Sequence, residues 1–494
     1  MFRVFFVSLL RNATRSKTAA VPAKISMIKK TVFIFSPLRF VAGIIIYIIQ
    51  IFGNVIMKKI KLLTAFAAGL VVLKLLELKG SGGTSAPGKV ALKICPEFIK
   101  FATAGKTSEI FTVTGTNGKT TTAGLLAHIA ESCGKKIIHN VKGANMLSGI
   151  ASVIVASAGK KTDFAVFESD EAYLTKLYDY LNANYLIVTN LFRDQLDRYG
   201  ELDTTYKKIK SAVEKNKNLK VLVNADDPTL EGISGQNETV FFGFKNIKFL
   251  YDAPESGAPS ENTACPKCGE NLVYNERFYA HLGKYECPKC GYKMPELKYG
   301  ASVKVCKDRS FITLNGFEYV VGLPGLYNAF NALAAISGAL EAGIPAESIA
   351  EALPTYKSVF GRSETRTLCG KKAFIQLIKN PVGASEVLRE TSADKNSVLL
   401  VALNDNYADG RDVSWIWDAD FELLKNHEGK IFITGTRAED AALRLKYAGV
   451  DTKLFTIEKD LEKCVKAATE AVPADKTLYV MPTYTALLKI SDFK

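Results

Sequence analysis

Seven consecutive residues, Gly115-Thr116-Asn117-Gly118-Lys119-Thr120-Thr121, concentrate the chemistry of this chain. An apolar, β-like run at 110–113 precedes them and a helix-like run at 123–130 follows. Strand, glycine loop and helix in that order cradle a nucleoside triphosphate. Small residues let backbone N–H groups close on phosphate oxygens, Lys119 reaches the β and γ phosphates, and the Thr120 hydroxyl is placed to ligand Mg2+. The common GxxxxGK[ST] spacing requires glycine at position 113, where this chain has Val113. The shortened loop points to a particular subset of ATPases.

A second cluster is metal-binding. Cys265-Pro-Lys-Cys268-Gly and Cys287-Pro-Lys-Cys290-Gly are matching knuckles separated by eighteen residues. Four thiolates close a tetrahedral zinc site, and the glycine after each knuckle permits the tight turn that aims N–H groups at sulfur. The intervening 271–285 alternates like a hairpin, which predicts a zinc ribbon. Protein fills all four positions and leaves none for water, so the site is structural. His281, in the hairpin, is expected at the surface, and scaffolding or partner contact is the expected use of the ribbon.

The elements that must hold these groups are legible in the patterning. From about residue 89 to 352, β-like apolar runs at 164–167, 185–189, 221–223 and 240–242 alternate with helix-like segments. That alternation is the sign of a parallel sheet with crossover helices. A polar stretch at 252–295 interrupts it as an insertion. Alternation resumes at 373–378, 398–403, 431–434, 453–456 and 477–481, predicting a second, smaller α/β domain. The expected organisation is an ATP-binding domain over 101–355 with the ribbon inserted at 261–296, then a C-terminal Rossmann-like α/β domain over 356–494. Residues 57–100 supply an N-terminal helix and a glycine-rich approach.

Charge is unevenly distributed. The formal net charge is +14, yet residues 1–76 hold twelve Lys and Arg and no acid, leaving 52 basic against 50 acidic side chains in the remaining 418 residues. A near-neutral body argues against a nucleic-acid footprint, which needs clustered cations to neutralise phosphates. Residues 40–57 are uncharged over roughly the length that spans a bilayer. Residues 62–76, interrupted only by Lys74, have the character of an amphipathic or interfacial helix. Two readings of 1–56 stand: a membrane anchor, or an extension upstream of a start at Met57. Both place a cytoplasmic catalytic body at the inner face of the membrane. Nine cysteines, four of them in one cluster, fit reduced thiols rather than a disulfide scaffold.

Further motifs follow the loop in a telling order: Phe167-Glu168-Ser169-Asp170-Glu171 at a strand end, Thr189-Asn190-Leu191-Phe192-Arg193-Asp194-Gln195, Asn224-Ala225-Asp226-Asp227-Pro228, and Gly325-Leu326-Tyr327-Asn328-Ala329-Phe330-Asn331. Together they resemble the Mur ligase superfamily and, within it, the MurT-type ligase subunits of lipid II isoglutaminyl synthases. The resemblance covers about 57–494. It implies that Gly115 through Thr121 bind the ATP phosphates, that Thr120 and Glu168 hold Mg2+, and that Asn328, Asn331 and Asp227 approach the adenine nucleotide, Asp227 near the base. It also implies that Arg362 reaches the phosphates from the C-terminal domain, with Lys379 and Asn380 nearby. Amino-acid-adding relatives carry His where this chain has Gln195, a poorer metal ligand, and a modified Lys at the spacing of Lys210. The stretch before the loop is too short for a separate uridine-nucleotide domain, which fits a lipid-linked substrate.

The activity so implied is amidation of the D-glutamate α-carboxylate of lipid II. ATP converts the carboxylate to an acyl phosphate and an amine displaces phosphate. Lys119, Mg2+ and Arg362 neutralise charge. No cysteine outside the ribbon sits in a glycine-flanked elbow, so glutamine hydrolysis falls to a GatD-type glutaminase partner. In this family an acid from the C-terminal domain completes the partner's Cys-His pair. Asp409 is the leading candidate, with Asp405 and Asp412 behind it, in a loop at a strand's C-terminal end. Two other readings compete: direct amino-acid addition, as in other Mur or folylpolyglutamate ligases, and an ATP-switched zinc-ribbon binding protein.

Overall fold

The computed structural model describes residues 37–79, 85–105, 107–140, 144–160, 162–193, 202–252, 264–358, 361–474 and 476–493, with side chains from 56 onward. Its body, Ala65–Lys494, is built on two large sheets and a small hairpin.

The first sheet comprises β1 (Glu109–Thr114), β2 (Ile137–His139), β3 (Phe164–Glu168), β4 (Tyr185–Val188), β5 (Lys220–Asn224), β6 (Thr239–Phe249), β9 (Tyr299–Val305), β10 (Ser310–Leu314) and β11 (Phe317–Val321). Between β6 and β9 the chain makes β7 (Val273–Tyr279) and β8 (Leu282–Glu286), the two-stranded ribbon. The strand order is β11-β10-β9-β6-β5-β4-β1-β3-β2, parallel from β2 to β9. The β9–β10–β11 edge is an antiparallel meander that the alternation did not foretell. Central strands such as β3 are buried at every position because helices cover both faces, so they read as continuous apolar runs. Phe111 stacks between Phe164 and Tyr185, with ring centroids 5.1 and 4.2 Å away.

Helix Leu326–Glu341 is rich in alanine and almost wholly buried. A Cβ at Gly338 would come within 2.9 Å of Ile187, so glycine permits the close approach to the sheet that brings Asn328 and Asn331 to the phosphate loop.

The second sheet runs β12-β13-β17-β14-β15-β16, from β12 (Arg362–Leu368), β13 (Lys371–Gln376), β14 (Val398–Ala402), β15 (Ile431–Thr434), β16 (Phe455–Ile457) and β17 (Leu478–Pro482). β12 pairs antiparallel with β13; the others are parallel. Alternate residues of β14 feed two cores, Leu399 and Val401 on one face and Val398 and Leu400 on the other. The two α/β layers anticipated from patterning are present.

At the N-terminal side, helix Pro37–Leu78 carries the uncharged 40–57 stretch, most of whose side chains lie outside the described residues. Within the body, Ala65 and Gly69 face inward, Phe66 meets Phe98 edge-on at 4.8 Å, and Val71, Leu75 and Leu78 stay exposed. Among the described residues no helix is long and apolar enough to cross a membrane.

Candidate nucleotide site and zinc centre

The phosphate loop joins β1 to helix Lys119–Ser132. Gly115 and Gly118 take φ of 124° and 84°, and a Cβ on Gly118 would lie 1.9 Å from Asn331 Oδ1. Glycine is therefore required twice over at 118, by backbone conformation and by the amide pressed against it. The turn after β4 clamps the loop: Asn190 O accepts from Thr116 N at 2.9 Å, Asn190 Oδ1 from Asn117 N at 2.9 Å, and Thr189 Oγ1 donates to Asn117 O at 2.7 Å. These bonds hold the loop open with its remaining N–H groups at a helix N-terminus, where anions bind.

Lys119 is buried, and its ammonium donates to Gly115 O at 2.5 Å and to Glu171 Oε1 at 2.7 Å. Burial opposes its charge, but Glu171 and Asp170 outweigh that, so its pKa is raised and it stays cationic. Glu168 ends β3, 3 % exposed, fixed through its backbone by Asn140 (Glu168 N to Asn140 Oδ1, 2.8 Å; Asn140 Nδ2 to Glu168 O, 2.9 Å). Its Oε2 is buried without a hydrogen bond. An orphaned carboxylate oxygen at a strand end beside a phosphate loop fits a hard divalent cation, with Thr120 as the hydroxyl ligand.

A cleft between the sheets gathers seven of the expected residues. Asn117, Gly118, Thr121, Asn328, Asn331, Arg362 and Lys379 line it, together with Tyr279, Tyr327, Gln376 and Glu386. Lys379 Nζ donates to Thr116 O at 3.3 Å, and Asn380 pairs its amide with that of Asn117. Arg362 enters β12 just after Gly361, whose φ is 66° and whose Cβ would strike Leu487 at 2.4 Å. Ser363 also has positive φ, 57°, and its Oγ contacts Asn328 Nδ2 and the Tyr327 hydroxyl, each at 3.0 Å.

The structure places Asp227 apart from the other expected residues and corrects the expectation for His281. Asp227 does not line the cleft: both oxygens are consumed internally, Oδ2 accepting from Leu191 N at 2.8 Å and Oδ1 from Thr229 N, Thr229 Oγ1 and His281 Nε2. His281 is not at the surface but fully buried, 3.1 Å from Asp227. Its pairing with an acid more than fifty residues away had no signal in the spacing. Glu171 and Asn190 belong to motifs quoted from the sequence but were given no role there; Asn140 was missed.

Lys210 lies on helix Leu202–Lys215, its ammonium 5.7 Å from the Tyr206 ring, and does not line the cleft. Gln195 falls outside the described residues.

The thiol sulfurs of Cys265, Cys268, Cys287 and Cys290 lie within 4.8 Å of one another, with 3.5 Å between Cys265 and Cys290 and between Cys268 and Cys287. Zinc–thiolate bonds of about 2.3 Å in a tetrahedron require sulfur separations of about 3.8 Å, so the four fit zinc.

In the C-terminal loop, Asp409 is buried, Oδ1 accepting from Thr485 N at 2.7 Å and Oδ2 from Thr485 Oγ1. Asp405 accepts from Thr436 Oγ1 at 2.8 Å, and Asp412 accepts from Ser414 N at 2.8 Å; the Ser414 side chain first, and its backbone N–H second, hold the Asp412 pKa below the usual carboxylate range.

Comparison with known proteins agrees with this architecture. Residues 113–260 match the Mur ligase middle domain and residues 377–487 the MurT ligase C-terminal model. Among solved structures, the pseudomurein peptide ligase type C from Methanothermus fervidus superposes with a TM-score of 0.61 at 23 % identity, covering 82 % of this chain and 83 % of that one. MurF from Acinetobacter baumannii gives 0.59 at 14 % identity, over 82 % and 79 %. The fold is thus that of a Mur ligase. In sequence, the chain is 38 % identical to the MurT subunit of the glutamine-hydrolysing lipid II isoglutaminyl synthase of Streptococcus pneumoniae, over 83 % of this chain and 92 % of the relative. The Staphylococcus aureus COL subunit is 36 % identical, with the same coverage. The chain belongs to the MurT family.

Proposed function

We propose that this chain is the ATP-using ligase subunit of a lipid II isoglutaminyl synthase, converting the D-glutamate α-carboxylate of lipid II to the amide of D-isoglutamine. The observation that carries this is the cleft itself. It sets Asn117, Gly118 and Thr121 of the phosphate loop against Arg362 and Lys379 from the C-terminal part of the chain, with the buried cationic Lys119 in the same loop and the orphaned Glu168 carboxylate on a neighbouring strand, in a chain whose relatives bear that name over nearly their whole length.

In the reaction, a substrate carboxylate oxygen attacks the γ-phosphorus of ATP and ADP leaves. Ammonia then attacks the carbonyl carbon of the acyl phosphate, and inorganic phosphate departs as the C–O bond breaks. Lys119 and Arg362 offset the charge that builds on the transferring phosphoryl group, and Asn328 and Asn331 face the nucleotide from the adjoining helix. Thr120 and Glu168 would hold Mg2+, which when bound would supply charge neutralisation for phosphoryl transfer. Zinc in the four-thiolate site is structural.

Ammonia comes from a GatD-type glutaminase partner. Asp409 supports its imidazole: an acid that orients a catalytic histidine must itself be held, as Thr485 holds this one. The lipid-linked substrate is met at the inner membrane surface, where the exposed Val71, Leu75 and Leu78 suit an interfacial position.

The test is reconstitution. Purified chain with a GatD-type partner, ATP, Mg2+, glutamine and lipid II should yield a product in which an amide replaces one carboxylic acid, read by mass spectrometry. Unchanged lipid II with every component present would overturn the proposal.

A further inference from the structure

The ribbon is not an appendage. Its thiols lie at one end of the β7–β8 hairpin, and its opposite end, Phe278 to Leu282, is buried in the core of the first sheet. Ala280 turns the chain there with φ 47°. Tyr279 meets Phe330 edge-on at 5.7 Å and lies 6.0 Å from Phe192; His281 lies 4.9 Å from Phe192. Phe330 stands on the helix that carries Asn328 and Asn331.

Two connections run from this tip to the phosphate loop. The first is a chain of hydrogen bonds. His281 Nε2 meets Asp227 Oδ1, Asp227 Oδ2 accepts from Leu191 N, and the next residue, Phe192, exchanges two bonds with Thr116: Phe192 N to Thr116 Oγ1 at 3.0 Å, and Thr116 Oγ1 to Phe192 O at 3.1 Å. The second is direct. Tyr279 is 3 % exposed, yet it lines the cleft beside Asn117, Gly118 and Asn331.

We infer that the zinc ribbon forms one wall of the nucleotide site, with Tyr279 contacting the bound adenine nucleotide through its hydroxyl and His281 acting as the positioning residue for Asp227 and the phosphate loop. This rests on the cleft being the ATP site proposed above. The zinc then has a consequence at a distance: it fixes the base of a hairpin whose tip is part of the binding pocket. Metal and nucleotide binding are thereby linked, and each must stabilise the other to the same degree.

The probe is a non-hydrolysable Mg·ATP analogue, titrated calorimetrically into the full chain, with zinc content measured on each sample. Tyr279→Phe keeps the ring and removes only the hydroxyl; its affinity should fall about three- to tenfold, the scale of one hydrogen bond, at unchanged zinc content. His281→Ala should raise KM for ATP in the reconstituted complex more than it lowers kcat, and His281→Gln, whose amide still donates to Asp227, should restore it. In the unmodified chain, saturating analogue should slow zinc transfer to a chelator. Wild-type affinity in Tyr279→Phe, or a zinc-transfer rate indifferent to the analogue, overturns the inference while leaving the ATP site standing. No analogue binding by the wild-type chain removes both.

Discussion

The side-chain amides of Asn117 and Asn380 face each other as a reciprocal pair: Asn380 donates to Asn117 Oδ1 at 2.9 Å, and Asn117 donates back to Asn380 Oδ1 at 3.3 Å. One stands in the phosphate loop, the other at the N-cap of helix Pro381–Thr391 in the second sheet. The pair ties the two walls of the cleft at the point where phosphates must enter. It places the N-terminus of a second helix toward the same anion, adding a favourable dipole from the opposite wall.

Asn380 has two duties that substitutions can separate. Its Oδ1 also accepts from Gly383 N at 2.9 Å, the capping bond. Asn380→Ala removes cap and tie together and should cost about 1 kcal/mol of stability. Asn380→Asp keeps the cap acceptor but loses the donor to Asn117 and adds a negative charge near the phosphates. Both should bind the ATP analogue at least about threefold more weakly, while thermal unfolding separates them, with only the alanine variant less stable. Wild-type affinity in Asn380→Asp would show that the amide pair does not govern the cleft.

What the sequence disclosed follows how local each signal is. The phosphate loop and the zinc knuckles are contiguous motifs whose chemistry and backbone needs coincide, so Lys119 and the four cysteines were assigned from residue types alone. The parallel strands were legible because burial on both faces makes them continuous apolar runs. β9 to β11 and β12 were not, since β12 alternates polar residues at a sheet edge and the meander follows an insertion that hides its register. The internal hydrogen bonds of Asp227 were not legible because a buried carboxylate and a ligand-facing one look alike in sequence. Only the fold brings His281 to it.

Glu168 and Lys119 should separate by metal dependence. Lys119→Ala removes the buried cation and should lower turnover by about a hundredfold or more. Glu168→Gln fills the same space but is a weaker metal ligand, so it should raise the Mg2+ concentration for half-maximal rate, with partial recovery at high Mg2+. An unchanged Mg2+ dependence in a folded Glu168→Gln protein would exclude the carboxylate from the metal site.

Glu390 predicts a pH-dependent stability. Burial pushes its carboxyl up to about 7 from an ordinary 4.5, despite hydrogen bonds from Gln376 at 2.7 Å and the Tyr327 hydroxyl at 3.2 Å, and Glu386 adds like charge. The folded chain therefore holds a proton that the unfolded chain has already lost. Stability should fall as pH rises from about 4.5 to 7 and level off above. The contribution is at most about 3 kcal/mol. Glu390→Gln should lack this slope, compared by denaturant unfolding across that range. Parallel slopes in the two proteins would contradict the assignment.

Asp409 offers the sharpest division of labour. Its carboxylate accepts from Thr485 N and Thr485 Oγ1 at the start of helix Tyr484–Ile490, so it is oriented before any partner arrives. Asp409→Asn keeps one acceptor for Thr485 and approximates the shape, limiting structural damage, but removes the negative charge that would stabilise a partner's imidazolium. In the reconstituted complex this variant should lose glutamine-dependent amidation by about a hundredfold or more, judged by the cost of disabling a triad acid. It should keep the ATP analogue affinity of the wild type and the rate seen with ammonium salts. Equal losses with glutamine and with ammonia would place Asp409 in the ligase fold alone, and Asp405 and Asp412, whose carboxylates meet Thr436 and Ser414, would become the acids to test against the glutaminase.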